Sequence, residues 1–434
     1  MYRDNFENNE SFTMKEAIKE AKRCLNCKAH TCMNGCPVEN NIPSFINALS
    51  KGNLGDARSI LAEKTVLPAV CGRVCPHEKQ CEGHCVFNKT GSPIKIGKLE
   101  QFIADFDSDM NLIKEKIPPK KCCKVAVIGS GPSGLTVAGE MARNGFNVVV
   151  YESESEPGGI LLYGIPAFRL PKEVVKREIE HIEELGVTFI TNCTVGPDIT
   201  IDQMFERGFD AIFIGTGTPV SKELDIPGKE LNGIVHSSYF LRMVTLLNEG
   251  EINNDEVPVD IDDDVIVIGG GDVAMDASRT AKRLGLKNVT IVYRKSASDM
   301  PASKSEYESA VKDGVSFLWN TTPLEYIGEN GFLTGLKVTN NDKEMIIKTN
   351  KVLLAVGSRP ANRIVSTTHG IEVSEAGYVI TKDRPYGMTT RKGVFAGGDV
   401  VHKPATVVLA MREAKKVAQG IIAYVNAIKL LEGL

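Results

Sequence analysis

Eight cysteines fall in two runs whose spacing is that of soft metal ligands. The first is Cys24-x2-Cys27-x4-Cys32-x3-Cys36-Pro37 and the second Cys71-x3-Cys75-Pro76-x4-Cys81-x3-Cys85. Thiolates in such runs hold zinc or iron-sulfur clusters. Close spacing that ends in Cys-Pro, together with a flavin-type nucleotide site downstream that needs an electron partner, favours clusters over zinc. The last cysteine of a run can ligate the other cluster of a pair, so order along the chain does not assign each thiol to a centre. Cys193 stands apart, as do Cys122 and Cys123, which read as incidental because adjacent cysteines make a strained disulfide and lack metal spacing.

The second chemistry-bearing pattern is glycine-rich and occurs twice. From Val125 to Glu152, an apolar run (Val125 to Ile128) meets Gly129, Gly131 and Gly134. A helical pattern continues through Arg143, and a second apolar run (Val148 to Tyr151) stops at an acid, Glu152. Gly129 permits the tight turn, Gly131 lets backbone approach a pyrophosphate, and Gly134 lets the helix pack closely on the strand. The helix N-terminus turns unpaired N–H groups and a positive dipole toward phosphates. Glu152 stands where a carboxylate accepts hydrogen bonds from ribose hydroxyls. Asp264 to Arg294 repeats the form: strand Val265 to Ile268, then Gly269, Gly270 and Gly271, a helix from Asp272 with Ala274 in the third small position, and strand Val289 to Tyr293. No acid closes this copy; Arg294 and Lys295 stand there instead, and a guanidinium holds a 2′-phosphate bidentately. The first site therefore suits a ribose without a 2′-phosphate, and the second suits NADPH rather than NADH.

These residues need elements to place them. Thr13 with Glu16 predicts a capping box on a short helix whose apolar face is Ala17, Ile18, Ala21 and Leu25, and which delivers Cys24. Ile42 to Glu63 predicts two short helices that fold the cysteine runs together. Ile113 to Lys124, rich in Pro and Lys, reads as a linker. Pro157 to Pro171 reads as a loop pressed against something flat and mostly apolar. Lys172 to Leu185 predicts a helix and Val187 to Thr191 a strand. Ala211 to Gly217 and Val352 to Gly357 predict buried strands ending in glycine, Gly393 to Asp399 has the same form, and Thr406 opens a final helix. The fold class is α/β: two Rossmann-like dinucleotide-binding domains preceded by an α-helical iron-sulfur domain. The expected boundaries are 1–118 for the helical domain, 122–258 with 366–434 for the first nucleotide domain, and 259–365 for the second.

Composition narrows the function further. A length of 434 residues predicts two or three domains, and 42% apolar with 24% charged residues is the balance of a globular protein. A net charge of -4 gives no basic field for nucleic acid. The N-terminal MYRDNFENNES lacks the apolar core of a signal peptide and no apolar run approaches a membrane span, so a cytoplasmic protein with no membrane association is expected. No Cys-x-x-Cys lies in either nucleotide domain, which argues against a dithiol as the electron sink. The seven histidines are scattered, and His30, His77 and His84, beside the cluster cysteines, read as surface residues.

CLNCKAHTCMNGCPVENNIPSFI, CGRVCPHEKQCEGHC and the later IGKLEQF resemble the N-terminal module of the glutamate synthase small-subunit family. That family includes the NAD(P)H-oxidising parts of dihydropyrimidine dehydrogenase and the large subunit of NADH-dependent ferredoxin:NADP oxidoreductase, and the likeness runs through nearly the whole chain. The resemblance implies two 4Fe-4S clusters, one on Cys24, Cys27, Cys32 and Cys85, the other on Cys36, Cys75, Cys81 and Glu100, with Cys71 a bystander. The residues alone favour Cys71 as the ligand and Glu100 as a solvated helix position. The resemblance also implies FAD at Gly129, Gly131, Pro132, Ser133, Gly134 and Glu152, along the loop at Gly158, Gly159, Leu161, Gly164, Ile165 and Arg169, and at Gly217. It further implies that Gly398 and Asp399 meet the ribityl chain, and that the helix opened by Thr406 points its N-terminus at the flavin, where its dipole stabilises negative charge. NADPH is then held by Gly269, Gly270, Gly271, Asp272, Val273, Ala274, Arg294 and Lys295, although members more often carry two arginines at the last two positions.

The implied activity is that of an NADPH-dependent FAD and iron-sulfur oxidoreductase passing electrons to or from a partner subunit. The closest likeness is the glutamate synthase small subunit, whose separate amidotransferase subunit makes glutamate from glutamine and 2-oxoglutarate. The alternatives are the large subunit of the bifurcating ferredoxin:NADP oxidoreductase, partnered by a small flavoprotein, and the NAD(P)H-oxidising subunit of a pyrimidine reductase. A non-enzymatic redox-sensing scaffold is disfavoured because a sensor need not keep two intact fingerprints.

Overall fold

The computed structural model describes residues 11–110, 115, 118–121 and 123–433. Cys122 and residues 113–114 and 116–117 of the expected linker lie outside them. The described chain divides into two units. The larger takes the residues up to Leu162, Arg169–Pro219 and the chain from Arg359, and the smaller takes Tyr163–Phe168 and Val220–Ser358.

In the larger unit the cysteine region is helical. Met14–Ala21 opens on the expected capping box, in which the Thr13 hydroxyl accepts from the Glu16 N–H and the Glu16 carboxylate accepts from the Thr13 N–H. Ile42–Ser50 and Leu54–Ala62 follow, then Pro68–Val74 and Ile96–Met110. Their shared core holds Ala17, Ile42, Phe45, Ile46, Leu49, Leu61, Leu99 and Ile103, with Cys24, Cys32, Cys36 and Cys85 packed against it. Burial of each large side chain contributes about 1.5–3 kcal/mol. Leu25 departs from expectation: the first helix ends at Ala21, so Leu25 falls beyond it and is 63% exposed. Two helices that carry cysteine-site residues approach closely at Gly72, where a Cβ would lie 2.6 Å from the Gln101 nitrogen. Ion pairs brace this packing, Arg58 Nε to Asp107 at 2.8 Å and Arg73 Nη2 to Asp105 at 2.8 Å.

The same unit contains a seven-stranded sheet in the order Thr381–Asp383, Tyr386–Thr389, Val394–Ala396, Ala211–Ile214, Lys124–Ile128, Asn147–Tyr151 and Val187–Ile190. The run from Val394 to Ile190 is parallel. Its central strands are near-continuous apolar runs because helices cover both faces of such a sheet. Pro132–Arg143, Lys172–Glu184 and the long helix Val407–Leu431 are the helices of this unit that matter to the site. Thr406 caps the last of them, accepting from the Leu409 N–H.

The smaller unit is built on a five-stranded parallel sheet: Ile234–His236, Lys351–Leu354, Asp264–Ile268, Asn288–Val292 and Ser316–Leu318. A three-stranded antiparallel sheet of Thr321–Glu329, Phe332–Asn340 and Lys343–Lys348 joins it, an element the sequence patterns do not suggest. Ile234–His236 pairs with Lys351–Leu354, so the segment from Val220, expected to go with the first nucleotide domain as far as residue 258, groups with the smaller unit and gives its sheet one strand.

Candidate functional site

The helical region encloses two cavities lined by cysteine. Cys24, Cys27, Cys32 and Cys85 line the first, with Leu25, His30 and Val86. Cys36, Cys71, Cys75 and Cys81 line the second, with Asn40, His77, Glu100 and Val408. Thiols from both runs meet in each cavity because the paired helices Ile42–Ser50 and Leu54–Ala62 fold the runs onto one core. Among the described residues, no three His, Cys, Asp or Glu side chains already converge on a single-ion site. The thiols of each set line one cavity, the grouping that a four-ligand cluster needs.

Burial sets the electrostatics. It raises the Cys32 thiol to about 11 and the Cys36 thiol to about 12, and it drives Cys81 upward as well. Cys75 is raised by its hydrogen bond with Cys71 and by burial. These groups are therefore neutral thiols in the metal-free chain, and iron must displace their protons. Glu100 is raised to about 8, first by burial and then by the charge of Glu178. One oxygen of Glu100 accepts from Asn40 Nδ2 at 3.3 Å, while the Asn40 N–H donates to Cys36 Sγ at 3.5 Å. Cys71 Sγ lies 3.9 Å from Thr65 Oγ1 and 3.9 Å from Met411 Sδ, so Cys71 and Glu100 face the same cavity. Sequence reasoning misses Asn40, which only the fold brings to Glu100 across 60 positions.

The three neighbouring histidines differ. His30 and His84 are exposed, the latter hydrogen-bonded to the Gln80 carbonyl at 2.7 Å. His77 is not a surface residue in the expected sense: its Nε2 is enclosed and has no hydrogen-bond partner, and burial lowers its pKa to about 4. Its ring lies against Gly97, which has no side chain to exclude it.

The first glycine turn has the form its chemistry needs. Gly129 adopts a φ of +92°, and a Cβ on Gly134 would lie 1.9 Å from the Gly129 oxygen. At Gly131 a Cβ would meet nothing within 4 Å, leaving open space at the start of helix Pro132–Arg143. That open approach beside a helix N-terminus fits a pyrophosphate. Glu152 is buried and more heavily engaged than expected. One of its oxygens accepts from the Ser130 N–H at 2.8 Å and from the Ser130 hydroxyl, and the other accepts from the Glu154 N–H at 3.0 Å. The Ser130 hydroxyl also accepts from the Gly158 N–H at 2.9 Å, so Ser130 joins the turn, the acid and the loop. Gly158 and Gly159 hold φ values of +137° and +53°, and a Cβ on Gly159 would sit 2.9 Å from Gly131 Cα. Leu161 and Ile165 are buried, and Gly164 and Arg169 belong to the same stretch of chain. Gly217 leaves open space, a Cβ on Gly398 would press on Ser133 Cβ at 2.8 Å, and burial raises Asp399 to about 6. The residues marked by the resemblance around Gly131, Ser133, Gly159 and Gly398 are thus neighbours in space.

In the smaller unit the second turn is closely similar. A Cβ on Gly269 would lie 2.4 Å from the Ala355 oxygen and one on Gly270 would lie 2.6 Å from the Tyr293 ring, whereas Gly271 faces open space. Helix Asp272–Arg283 begins there, with Val273 exposed and Ala274 buried. Arg294 and Lys295 follow strand Asn288–Val292 and are exposed, free to meet an anion arriving from solvent. Asp272 Oδ1 accepts from the Ser303 N–H at 3.1 Å, and the Gly270 oxygen accepts from the Ala302 N–H at 3.2 Å. Met300 to Ser303 is thereby tied to the glycine turn.

Comparison with known proteins agrees with this division of labour. A family described as dihydropyrimidine dehydrogenase domain II, 4Fe-4S cluster, matches residues 2–112. The pyridine nucleotide-disulphide oxidoreductase family matches residues 123–414. The NADPH glutamate synthase small chain of Escherichia coli K12 is 35% identical over 96% of this chain and 93% of its own length. The NAD-dependent dihydropyrimidine dehydrogenase subunit PreT of Escherichia coli O157:H7 is 33% identical over 96% of each chain. Among solved structures, Lactococcus lactis thioredoxin reductase superposes with a TM-score of 0.54 at 25% identity, covering 70% of this chain and 99% of that one. Among the described residues, no helix is long and apolar enough to cross a membrane.

Proposed function

The chain belongs to the glutamate synthase small-chain family and is an iron-sulfur, FAD and pyridine-nucleotide oxidoreductase; from that premise we propose that it is an NADPH-dependent electron-transfer subunit carrying one FAD and two 4Fe-4S clusters. The observation that carries the cluster count is the sorting of eight cysteines from two runs into two cavities. When bound, FAD takes a hydride and clusters take single electrons, so the flavin supplies the conversion between two-electron and one-electron chemistry.

The chain's own residues do the holding. Cys24, Cys27, Cys32 and Cys85 hold the first cluster. Cys36, Cys75 and Cys81 hold the second with Glu100, and Cys71 stays a thiol beside Thr65 and Met411. Gly131 and the helix N-terminus at Pro132 receive the FAD pyrophosphate, and Glu152 both receives the ribose and pins the turn through Ser130. Thr406 caps the helix whose N-terminus faces the flavin. Gly271 opens the second site to the nucleotide, and Arg294 with Lys295 holds the 2′-phosphate. The proposed domains are the helical cluster domain, a discontinuous FAD domain and an NADPH domain, with the boundary before the NADPH domain drawn near Val220.

The partner is an amidotransferase subunit to which this chain delivers electrons for glutamate formation, and the compartment is the cytoplasm. A second reading, a pyrimidine-reductase subunit, has support from the likeness to PreT, whose name specifies NAD; the basic pair after the second fingerprint speaks for the first reading. Anaerobic stopped-flow reduction tests the choice. NADPH should bleach the flavin band at least tenfold faster than NADH, and Arg294→Ala should remove most of that preference at a cost of about 1.5–3 kcal/mol in NADPH binding. A preference for NADH in the unaltered protein would overturn the assignment.

A further inference from the structure

A buried carboxylate in the larger unit has no role in the sites described so far. Glu178, on helix Lys172–Glu184, is 7% exposed, and one of its oxygens accepts the Ala69 N–H at 2.6 Å from 109 positions away. That donor needs an outside partner. Ala69 is the second residue of helix Pro68–Val74, where an N–H has no carbonyl of its own helix to meet, and the N-cap is Leu67, whose side chain cannot accept. A helix of seven residues is too short to hold itself, so an unpaired end frays. The far end of this helix carries the chemistry: Cys71 lies in it, Cys75 caps it, and both line the second cavity.

The helix that carries Glu178 has a second attachment. Its Val175 and Ile179 lie against Gly158, where a Cβ would be 3.3 Å from Val175 Cγ1 and 3.6 Å from Ile179 Cδ1. Lys172 Nζ donates to the Leu161 carbonyl at 3.4 Å. Gly158 and Leu161 belong to the loop read as lying along FAD, so one helix touches that loop and, through Glu178, the helix that ends at a cluster thiol. A carboxylate is costly to bury, and an apolar residue would suit the place if no N–H had to be met there. Arg177 next to it pairs with Asp105 at 3.2 Å, but its side chain is partly exposed, where such a pair contributes little.

We propose that Glu178 is a positioning residue for electron transfer between the flavin and the second cluster: its carboxylate fixes the helix that ends at Cys75 to the helix packed on the flavin loop. The proposal rests on the cluster and FAD reading above.

The whole chain, purified anaerobically, tests this with Glu178→Ala, which removes the acceptor, and Glu178→Gln, which keeps an acceptor oxygen in its place. In Glu178→Ala, chelator should strip the second cluster's iron about tenfold faster, the equivalent of about 1.4 kcal/mol, as one buried N–H is left unpaired. The first cluster should be unaffected and marks intact folding. After mixing with NADPH, the second cluster's electron paramagnetic resonance signal should lag behind flavin bleaching in Glu178→Ala, and Glu178→Gln should return both readouts to within about twofold of the unaltered protein. If Glu178→Ala does not fold, hydrogen exchange in the unaltered protein decides: the Ala69 amide should be protected, and exchange as fast as that of an exposed amide would overturn the proposal. So would a Glu178→Ala protein that behaves as the unaltered one, a Gln variant as impaired as the Ala variant, or faster iron release with no lag in reduction, which would leave Glu178 a structural cap alone. A protein without iron would overturn the cluster reading, and the proposal with it.

Discussion

The two cysteine cavities share a ligand type and differ in everything around it. The first lies beneath solvent-facing apolar side chains, with Leu25 63% and Val86 37% exposed. The second is closed by Glu100 and His77 and by Val408 from the helix that Thr406 caps. Its lining is correspondingly buried, Cys71 at 2%, Cys81 at 6% and Glu100 at 7% exposed. The contrast teaches that ligand spacing alone does not set the character of a centre. Under the proposed function, the outer cavity holds an all-thiolate cluster and the inner cavity a cluster with one carboxylate ligand, and the two centres differ in burial.

The largest effect should come from removing one thiolate on each side of this contrast. Anaerobically purified protein should carry about eight irons per chain, and Cys81→Ser should lose the inner cluster's signal with about four of them, whereas Cys32→Ser should lose the outer. Stoichiometric zinc in place of iron would break the comparison altogether. Next comes the pair Glu100→Ala and Cys71→Ala: the first should shift or diminish the inner cluster's resonance and the second should leave both clusters as they are. The reverse pattern would make Cys71 the ligand.

A third test addresses the scaffold. Arg73 pairs with Asp105 at 2.8 Å across the two helices that frame the inner cavity. Arg73→Ala should therefore cost about 3 kcal/mol in unfolding measurements and speed removal of inner iron by chelator, with the outer cluster little affected. Equal loss from both centres would show that the cavities are not independently braced.

The smallest effect is one of pH on metal-free protein. Burial raises Cys32 to about 11 and Cys36 to about 12 from an ordinary value of 9.0, so the folded chain binds these protons more tightly than the unfolded one. That contribution to stability is present in full below about 9 and falls as pH rises through the folded values. Alkylation followed by mass spectrometry between pH 7 and 9 should show both thiols gaining about tenfold in rate per pH unit, with Cys36 the slower by about tenfold. Equal rates would mean that the inner cavity is no better shielded.

Much of the fold and of the candidate site is legible in the residues alone. The capping box of Thr13 and Glu16, both glycine fingerprints and the helix pair between the cysteine runs are local patterns, and each element lies within a residue or two of its expected place. Leu25 departs because helical periodicity extends past the point where the helix ends at Ala21. The segment from Val220 falls in the other unit because nothing in Ile234–His236 states which sheet its backbone will pair with; that is settled by a partner more than a hundred residues away. His77 looks like a surface residue in sequence because its enclosure depends on Gly97, a residue whose contribution is the absence of a side chain.

The sequence by itself determined the chemistry: which residues are soft ligands, which turns admit a pyrophosphate, and which strand end is basic rather than acidic. Those properties belong to residue types and short spacings, and survive without knowledge of the fold. Tertiary structure alone decided which thiols share a cavity, that Asn40 reaches Glu100, that Ser130 ties Glu152 to Gly158, and that the Nε2 of His77 lies enclosed without a partner. The physical reason is that burial and hydrogen bonding are properties of what surrounds a group. Those surroundings are assembled from segments that meet only when the chain is packed.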